Sequence, residues 1–130
     1  MYKIEKKGYG YKLTFADQIS KDEMTAWVQE SEKALAAAPA KFGVFVDMRT
    51  LKPLAADAKA EMEKGQILYK QKGMERSVVI LASAMLTLQF KQIAKQSGIY
   101  QWERYISEAD DPDWEKTGEA WLISAKDPDA

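Results

Sequence analysis

The chain alternates between stretches with the apolar spacing of strands and stretches with the apolar spacing of helices. Residues 2–15 are interrupted by Gly8 and Gly10, and the second half then alternates between apolar and polar positions. This period of two predicts a pair of antiparallel strands at the N terminus. Residues 41–47 and 76–82 are instead mainly continuous apolar runs, which are typical of central strands buried on both faces.

Helical spacing predicts two helices that flank the first of these runs. Residues 20–38 begin with Ser20 and Glu23, the S-x-x-E capping box of a helix start, and carry one apolar stripe. Residues 54–72 carry a second apolar stripe and end at Gly73, the residue type that most often closes a helix. The two buried runs are therefore joined through a helix, and such a connection predicts parallel, right-handed pairing.

The last third of the chain predicts two more helices and one more strand. Residues 84–96 show helical spacing before Gly98, and residues 101–107 are typical of a short strand. Asp111 and Pro112 then predict the N-cap and the first turn of a fourth helix. The order ββαβαβαβα indicates an α/β fold with a mixed, mostly parallel sheet of four to five strands, an antiparallel N-terminal edge hairpin and about four helices.

The length of 130 residues suits a single domain; we expect residues 1–123 to form it and residues 124–130 to form a flexible tail. Lysine and arginine number 19 against 20 aspartate and glutamate residues, so no excess of positive charge favours nucleic acid as a partner. The longest apolar stretch, residues 78–88, is too short for stable membrane insertion. We expect a cytoplasmic protein.

The chain contains neither cysteine nor histidine, which narrows the chemistry that it can perform. Disulfides, thiol nucleophiles, thiolate metal sites and a Ser-His-Asp triad are excluded. Four carboxylates cluster at Glu108, Asp110, Asp111 and Asp113, but they lack the spacing and the central glycine of a calcium-binding loop. We expect no cofactor and no metal site, because negative charge before a helix start is the simpler explanation of this cluster.

Three motifs accompany the predicted fold in order along the chain: "VFVDMRTL" at residues 44–51, "ERSVVIL" at residues 75–81 and "RYISEADDPDWEKTGEAWL" at residues 104–122. Together they resemble the SpoIIAA-like family within the STAS fold of anti-sigma-factor antagonists. In that family an apolar strand ends in Asp-x-Arg, a later Arg opens a strand rich in valine and isoleucine, and an acidic segment leads into a helix that ends near Ala-Trp-Leu. The resemblance covers nearly the whole chain and implies the same α/β fold.

The resemblance implies a regulatory module that binds a protein partner and is not an enzyme. In the better-known antagonists, the loop after the second core strand carries a serine at a helix N-terminus. A kinase phosphorylates this serine, and the phosphate breaks a partner complex. The matching residues 47–59 contain no serine, and Thr50 is their only hydroxyl residue. We therefore expect a STAS-like interaction module without the usual phosphorylatable serine.

The partner site is predicted at the carboxyl end of the first buried strand, because open α/β sheets bind their ligands at that edge. Asp47, Arg49 and Thr50 lie there, and Leu54 begins the following helix. Arg49 is suited to clamp a carboxylate or a phosphate. The alternative is a local role, in which Asp47 and Thr50 cap the turn and Arg49 pairs with a neighbour.

Two apolar residues lie off the helical stripes and raise the question of self-association. Ile67 in the second helix and Leu88 in the third, beside Met85, point away from the apolar faces of their helices. Either one alone is an ordinary exposed hydrophobic residue. If both lie on one patch, the pattern favours a homodimer.

Two further functions stay open beside the interaction module. A carrier would hold a small molecule or a lipid-like ligand in an apolar pocket between helices and sheet. An enzyme that uses only carboxylates, arginine, lysine or tyrosine ranks last, because the sequence places no pair of such groups for acid–base work.

Overall fold

A five-stranded sheet forms the centre of the structure, a computed structural model that describes residues 1–130. The strands follow one another across the sheet in chain order: β1 (Tyr2–Lys7), β2 (Gly10–Phe15), β3 (Phe42–Met48), β4 (Met74–Leu81) and β5 (Glu103–Ser107). β1 and β2 pair antiparallel, and every other neighbouring pair is parallel. The predicted mixed sheet with an antiparallel N-terminal hairpin is therefore confirmed.

Four helices cover the sheet, three on one face and one on the other: α1 (Lys21–Leu35), α2 (Ala56–Lys72), α3 (Ala84–Ser97) and α4 (Trp114–Ser124). α2 packs between α1 and α3, while α4 packs on β3, β4 and β5. None of these helices has both the length and the apolar character of a membrane span. The predicted order ββαβαβαβα and the single α/β domain are confirmed.

The two faces of the sheet bury separate apolar clusters, and β3 shows how one strand serves both. Val44, Val46 and Met48 belong to the larger cluster with α1, α2 and α3, whereas Phe45 belongs to the smaller cluster with α4. Asp47 follows Phe45 by two residues in the strand, so its side chain lies on the same face of the sheet, the α4 side. All seven residues of β3 are buried, as expected of a central strand.

The predicted helix ends are confirmed at three positions. The hydroxyl of Ser20 accepts a hydrogen bond from the Glu23 backbone N–H at 3.2 Å at the start of α1. Gly73 and Gly98 follow α2 and α3 with left-handed φ angles of 117° and 86°. A β-carbon at Gly73 would collide with the carbonyl oxygen of Ala40, so the end of α2 requires glycine for space as well as for backbone angle.

The start of α4 lies later in the chain than the sequence predicts. Asp111 is predicted as the N-cap and Pro112 as the first helical residue, but the helix begins at Trp114 and its N-cap is Asp113. Asp111 Oδ1 instead accepts from the Asp113 backbone N–H at 2.9 Å. This bond closes a separate turn before the helix, a conformation that aspartate side chains favour.

Residues 124–130, for which the sequence predicts a flexible tail, contact the edge of the sheet in the structure. α4 ends at Ser124, and Ala125 adopts a left-handed φ of 55° that turns the chain back. Asp127 then accepts from Arg104 Nε at 2.8 Å and from Nη2 at 3.0 Å. A paired, two-bond contact of this kind holds the tail against β5.

Candidate functional site

The end of β3 forms a closed pair between neighbouring residues. The Oδ1 atom of Asp47 accepts from the backbone N–H of Arg49 at 3.1 Å and from its Nε at 3.0 Å. The Oδ2 atom accepts a third bond, from Nη2 of the same arginine at 3.0 Å. The structure therefore contains the local pairing that the sequence left as the alternative role of Asp47 and Arg49.

Burial and the ion pair with Arg49 shift the pKa of the Asp47 carboxyl in opposite directions. Burial raises its pKa, but the hydrogen bonds from Arg49 outweigh burial, and the net pKa is lowered. The Arg49 guanidinium also lies over the ring of Trp114, with Cζ 4.3 Å from the ring centroid. Asp47 is thus a charged group at neutral pH that positions Arg49 against the start of α4.

Thr50 and Leu54, which complete the predicted partner site, lie in different environments. Thr50 is exposed, and its carbonyl oxygen accepts from the Asp17 backbone N–H at 3.0 Å. Leu54 is only 6% exposed and belongs to the larger apolar cluster. A partner does not reach the Leu54 side chain in this structure, because the loop after β3 packs it into the core. The partner site at this edge stays a prediction.

Gln89 explains why that loop is held against α3. Its side-chain amide accepts from the Leu54 backbone N–H at 3.0 Å and donates to the Leu54 carbonyl oxygen at 3.1 Å. One amide group satisfies a donor and an acceptor at once, so two bonds fasten the loop to the helix. Sequence patterns do not reveal this role, because a glutamine between the buried residues Leu86 and Phe90 resembles any polar helix position.

The start of α3 presents two apolar side chains to solvent near the same edge. Met85 is 66% exposed and Leu88 is 63% exposed, on a helix that the side chain of Ser83 caps. In the pairing of β3 with β4, Met48 lies opposite Leu81, so the segments after both strands leave the sheet at one level. We name four residues at this edge the carboxyl-edge surface: Arg49, Thr50, Met85 and Leu88. Arg49 lies on the α4 side of the sheet, and Met85 and Leu88 lie on the α3 side.

Ile67 lies outside this surface. α2 and α3 run in the same direction, since Leu54 and Gln66 bond to successively later residues of α3. Leu88 therefore lies beside the start of α2, whereas the half-buried Ile67 lies near its end. At 1.5 Å per residue, the two levels are roughly 15 Å apart along the helices. Ile67 and Leu88 do not share the single patch on which the prediction of self-association depended.

Four carboxylates follow β5 at the same edge of the sheet: Glu108, Asp110, Asp111 and Asp113. No three carboxylates in the structure converge on a point where they would hold a metal ion. One of them, Asp111, accepts from the backbone of its own turn. Their charge makes this part of the edge acidic, which bears on the kind of partner that fits it.

A buried carboxyl group at the other end of β5 is not apparent from the sequence. Glu103 is only 4% exposed; its Oε1 accepts from the Ser77 hydroxyl at 3.0 Å and its Oε2 accepts from the Tyr105 hydroxyl at 2.7 Å. Burial raises the pKa of this carboxyl to about 7, although the two hydroxyl bonds act to lower it. The polar segment "QWERYIS" gives no sign of this burial, which arises from packing against β4.

A small cavity lies next to Glu103, between the sheet and the helices α1, α2 and α3. Its volume is about 30 Å³, and its lining is apolar apart from Gln66, Ser77 and Glu103. The indole N–H of Trp27, another lining residue, is buried without a hydrogen-bond partner. The volume suits about one water molecule and is far below the roughly 300–1,000 Å³ of typical ligand pockets.

A scan of protein-family models and a search of curated proteins found no match to the chain. The resemblance to the SpoIIAA-like family therefore rests on the three sequence motifs and stays a prediction. The structure shows the α/β fold and its element order. Because one fold hosts many unrelated functions, the function has to be argued from the site.

Proposed function

We propose that the chain is a non-enzymatic, STAS-like interaction module that binds a protein partner through the carboxyl-edge surface. The observation that carries this proposal is the exposure of Met85 and Leu88, which lie about one turn apart at the start of α3. The other exposed large apolar residues, Met1, Tyr100 and Ile123, come from three separate segments. A pair of exposed apolar side chains at the edge where α/β folds bind their ligands supports a contact surface.

Contacts within the chain hold this surface in place before a partner binds. Gln89 fastens the loop after β3 to α3, while Asp47 and Trp114 fix the guanidinium of Arg49. A surface that is already ordered loses less conformational entropy on binding than a mobile one. These contacts favour the docking of a partner onto a preformed face.

The charges at the same edge of the sheet as Met85 and Leu88 indicate what kind of partner fits. Asp47 pairs with Arg49, and the four carboxylates after β5 add negative charge to the same edge. The complementary partner is a protein with an apolar recess for Met85 and Leu88 and with basic residues that face the segment after β5. We expect such binding to weaken as the salt concentration rises.

Thr50 is not placed like the serine of the better-known antagonists. α2 begins at Ala56, with Ala55 as its N-cap, so Thr50 lies in the preceding loop. A phosphate on Thr50 would lack the free backbone N–H groups that a helix start offers to an anion. The proposed module therefore works without a phosphoswitch at the start of α2.

A quantitative pull-down from the native lysate tests the proposal. The double substitution Met85→Ser and Leu88→Ser should abolish capture of a specific protein, because it removes the apolar pair, and Arg49→Ala should weaken it. Ile123→Ser is the matched control, since Ile123 is 64% exposed but lies at the end of α4. Each variant should unfold at the temperature of the parent chain. Equal capture by the double variant and the parent would contradict the proposal.

A carrier of a lipid-like ligand is the second candidate, and the cavity with the unpartnered N–H of Trp27 is the observation that favours it. A volume of about 30 Å³ holds no lipid chain, so this function requires the helices to move away from the sheet. Native mass spectrometry of the gently purified protein separates the two candidates. We expect the mass of the protein alone, whereas a co-purifying lipid would favour the carrier.

A further inference from the structure

A groove beside β5 brings basic and aromatic side chains together at the end of the sheet opposite the carboxyl-edge surface. β5 is the last strand of the sheet, so one of its edges has no neighbouring strand. The groove next to it has a volume of about 240 Å³. Its lining consists of one residue of α3, two of the turn before β5, three of β5 and one of the tail: Lys91, Tyr100, Gln101, Glu103, Arg104, Tyr105 and Asp129. The Glu103 carboxyl in this lining already accepts from the hydroxyls of Ser77 and Tyr105.

Two lysines of α3 stand over the aromatic rings of this groove. The Nζ atom of Lys91 is 5.5 Å from the ring centroid of Tyr105, and the Nζ atom of Lys95 is 4.8 Å from that of Tyr100. Neither lysine forms an ion pair with a carboxylate of the chain. The groove therefore offers positive charge on an aromatic floor, which suits a negatively charged ligand.

The rim of the groove already holds carboxylates of the chain itself. Arg104 donates two bonds to Asp127, at 2.8 Å and 3.0 Å, and its Nε lies 3.6 Å from a carboxylate oxygen of Asp129. The guanidinium is fixed over the ring of Trp121, with Cζ 4.4 Å from the centroid. The left-handed Ala125 turns the tail back toward this position. The tail shows which chemistry Arg104 recognises, namely a carboxylate bound through both oxygens.

We propose that this groove binds an acidic peptide of a partner protein, and that residues 127–129 occupy its rim as an internal competitor. An incoming carboxylate takes the place of Asp127 on Arg104, and further acidic residues of the peptide meet Lys91 and Lys95. The competition is feasible because Asp127 is partly exposed, so water screens its ion pair with Arg104. Lys91 lies one turn from Leu88 on α3, but Arg104 and Asp127 lie away from Met85 and Leu88, so either proposal can fail alone.

Fluorescence anisotropy with a labelled hexaglutamate peptide tests this proposal on the full chain. The double substitution Asp127→Asn and Asp129→Asn should tighten binding by about fivefold, the size expected for the loss of one partly exposed competing ion pair. Adding Lys91→Gln or Arg104→Gln to that variant should reverse the gain. The Lys91→Gln version keeps the test valid if Arg104→Gln destabilises the fold through the lost contact with Trp121.

The matched control removes the same amount of charge elsewhere. Asp110→Asn combined with Asp113→Asn also deletes two exposed carboxylates, but beyond the opposite end of β5. This control should leave the affinity for hexaglutamate near that of the parent. Equal gains in both double variants would reveal a general charge effect and overturn the proposal. Absence of any gain when Asp127 and Asp129 are replaced would overturn it as well.

Discussion

The carboxyl of Glu103 is both buried and titratable near neutral pH. Its pKa is raised from 4.5 to about 7, because burial disfavours the charged form more than the bonds from Ser77 and Tyr105 favour it. The folded chain therefore binds this proton more tightly than the unfolded chain does. The contribution of Glu103 to stability is complete below pH 4.5 and is lost as the pH rises toward 7.

Glu103→Gln should remove most of this pH dependence. The raised pKa implies that the free energy of unfolding falls by about 3 kcal/mol between pH 4.5 and 8. Because the amide of glutamine keeps the size of the side chain and carries no charge, this fall should disappear in the variant. Urea unfolding at a series of pH values measures the effect. Glu32→Gln, which changes an exposed glutamate of α1, should leave the slope as it is in the parent. Parallel profiles for the parent and Glu103→Gln would show that Glu103 is not the titrating group.

Among the larger elements, the loop between β3 and α2 depends on a contact made by a third element. It has little regular structure of its own, and the side chain of Gln89 on α3 supplies partners for both backbone groups of Leu54. The burial of Leu54 in the apolar core adds to this attachment. The carboxyl-edge surface is therefore built by cooperation between a loop and a helix start that are distant in sequence.

Gln89→Ala should loosen this loop without changing the core. It leaves the Leu54 N–H and C=O without partners, so we expect a loss of about 1–2 kcal/mol in the free energy of unfolding. Hydrogen exchange should also speed up at the Leu54 amide. Gln92→Ala is the matched control, because Gln92 is exposed on the same helix and makes no such bond. If the two variants have the same stability and the same exchange rate at Leu54, the amide of Gln89 does not hold the loop.

For the molecule as a whole, sequence patterns predict the features that neighbouring residues decide. The buried runs become β3 and β4, and Gly73 and Gly98 close α2 and α3, because apolar periodicity and left-handed backbone angles are local properties. The start of α4 is also decided locally, but two local signals compete there. The turn that Asp111 forms with Asp113 makes the helix start later in the chain. The sequence alone does not show whether Asp111 forms this turn or caps the helix.

Features that depend on distant residues are the ones that the sequence does not predict. The edge that carries Asp47, Arg49 and Thr50 follows from strand order, but the burial of Leu54 follows from its packing beneath α3. Glu103 is buried because β5 pairs with β4, which brings Ser77 beside it. Periodicity within one segment contains no information about such contacts between segments.

The most direct test of the proposed partner surface places a photo-activated crosslinking residue at position 88 and irradiates the full chain in native lysate. The predicted result is a discrete adduct with a protein of different sequence, which Met85→Ser and high salt both reduce. The same residue at position 123 should not yield that adduct. A result that contradicts the proposal is an equal adduct from position 123, or crosslinks from position 88 only to a second copy of this chain.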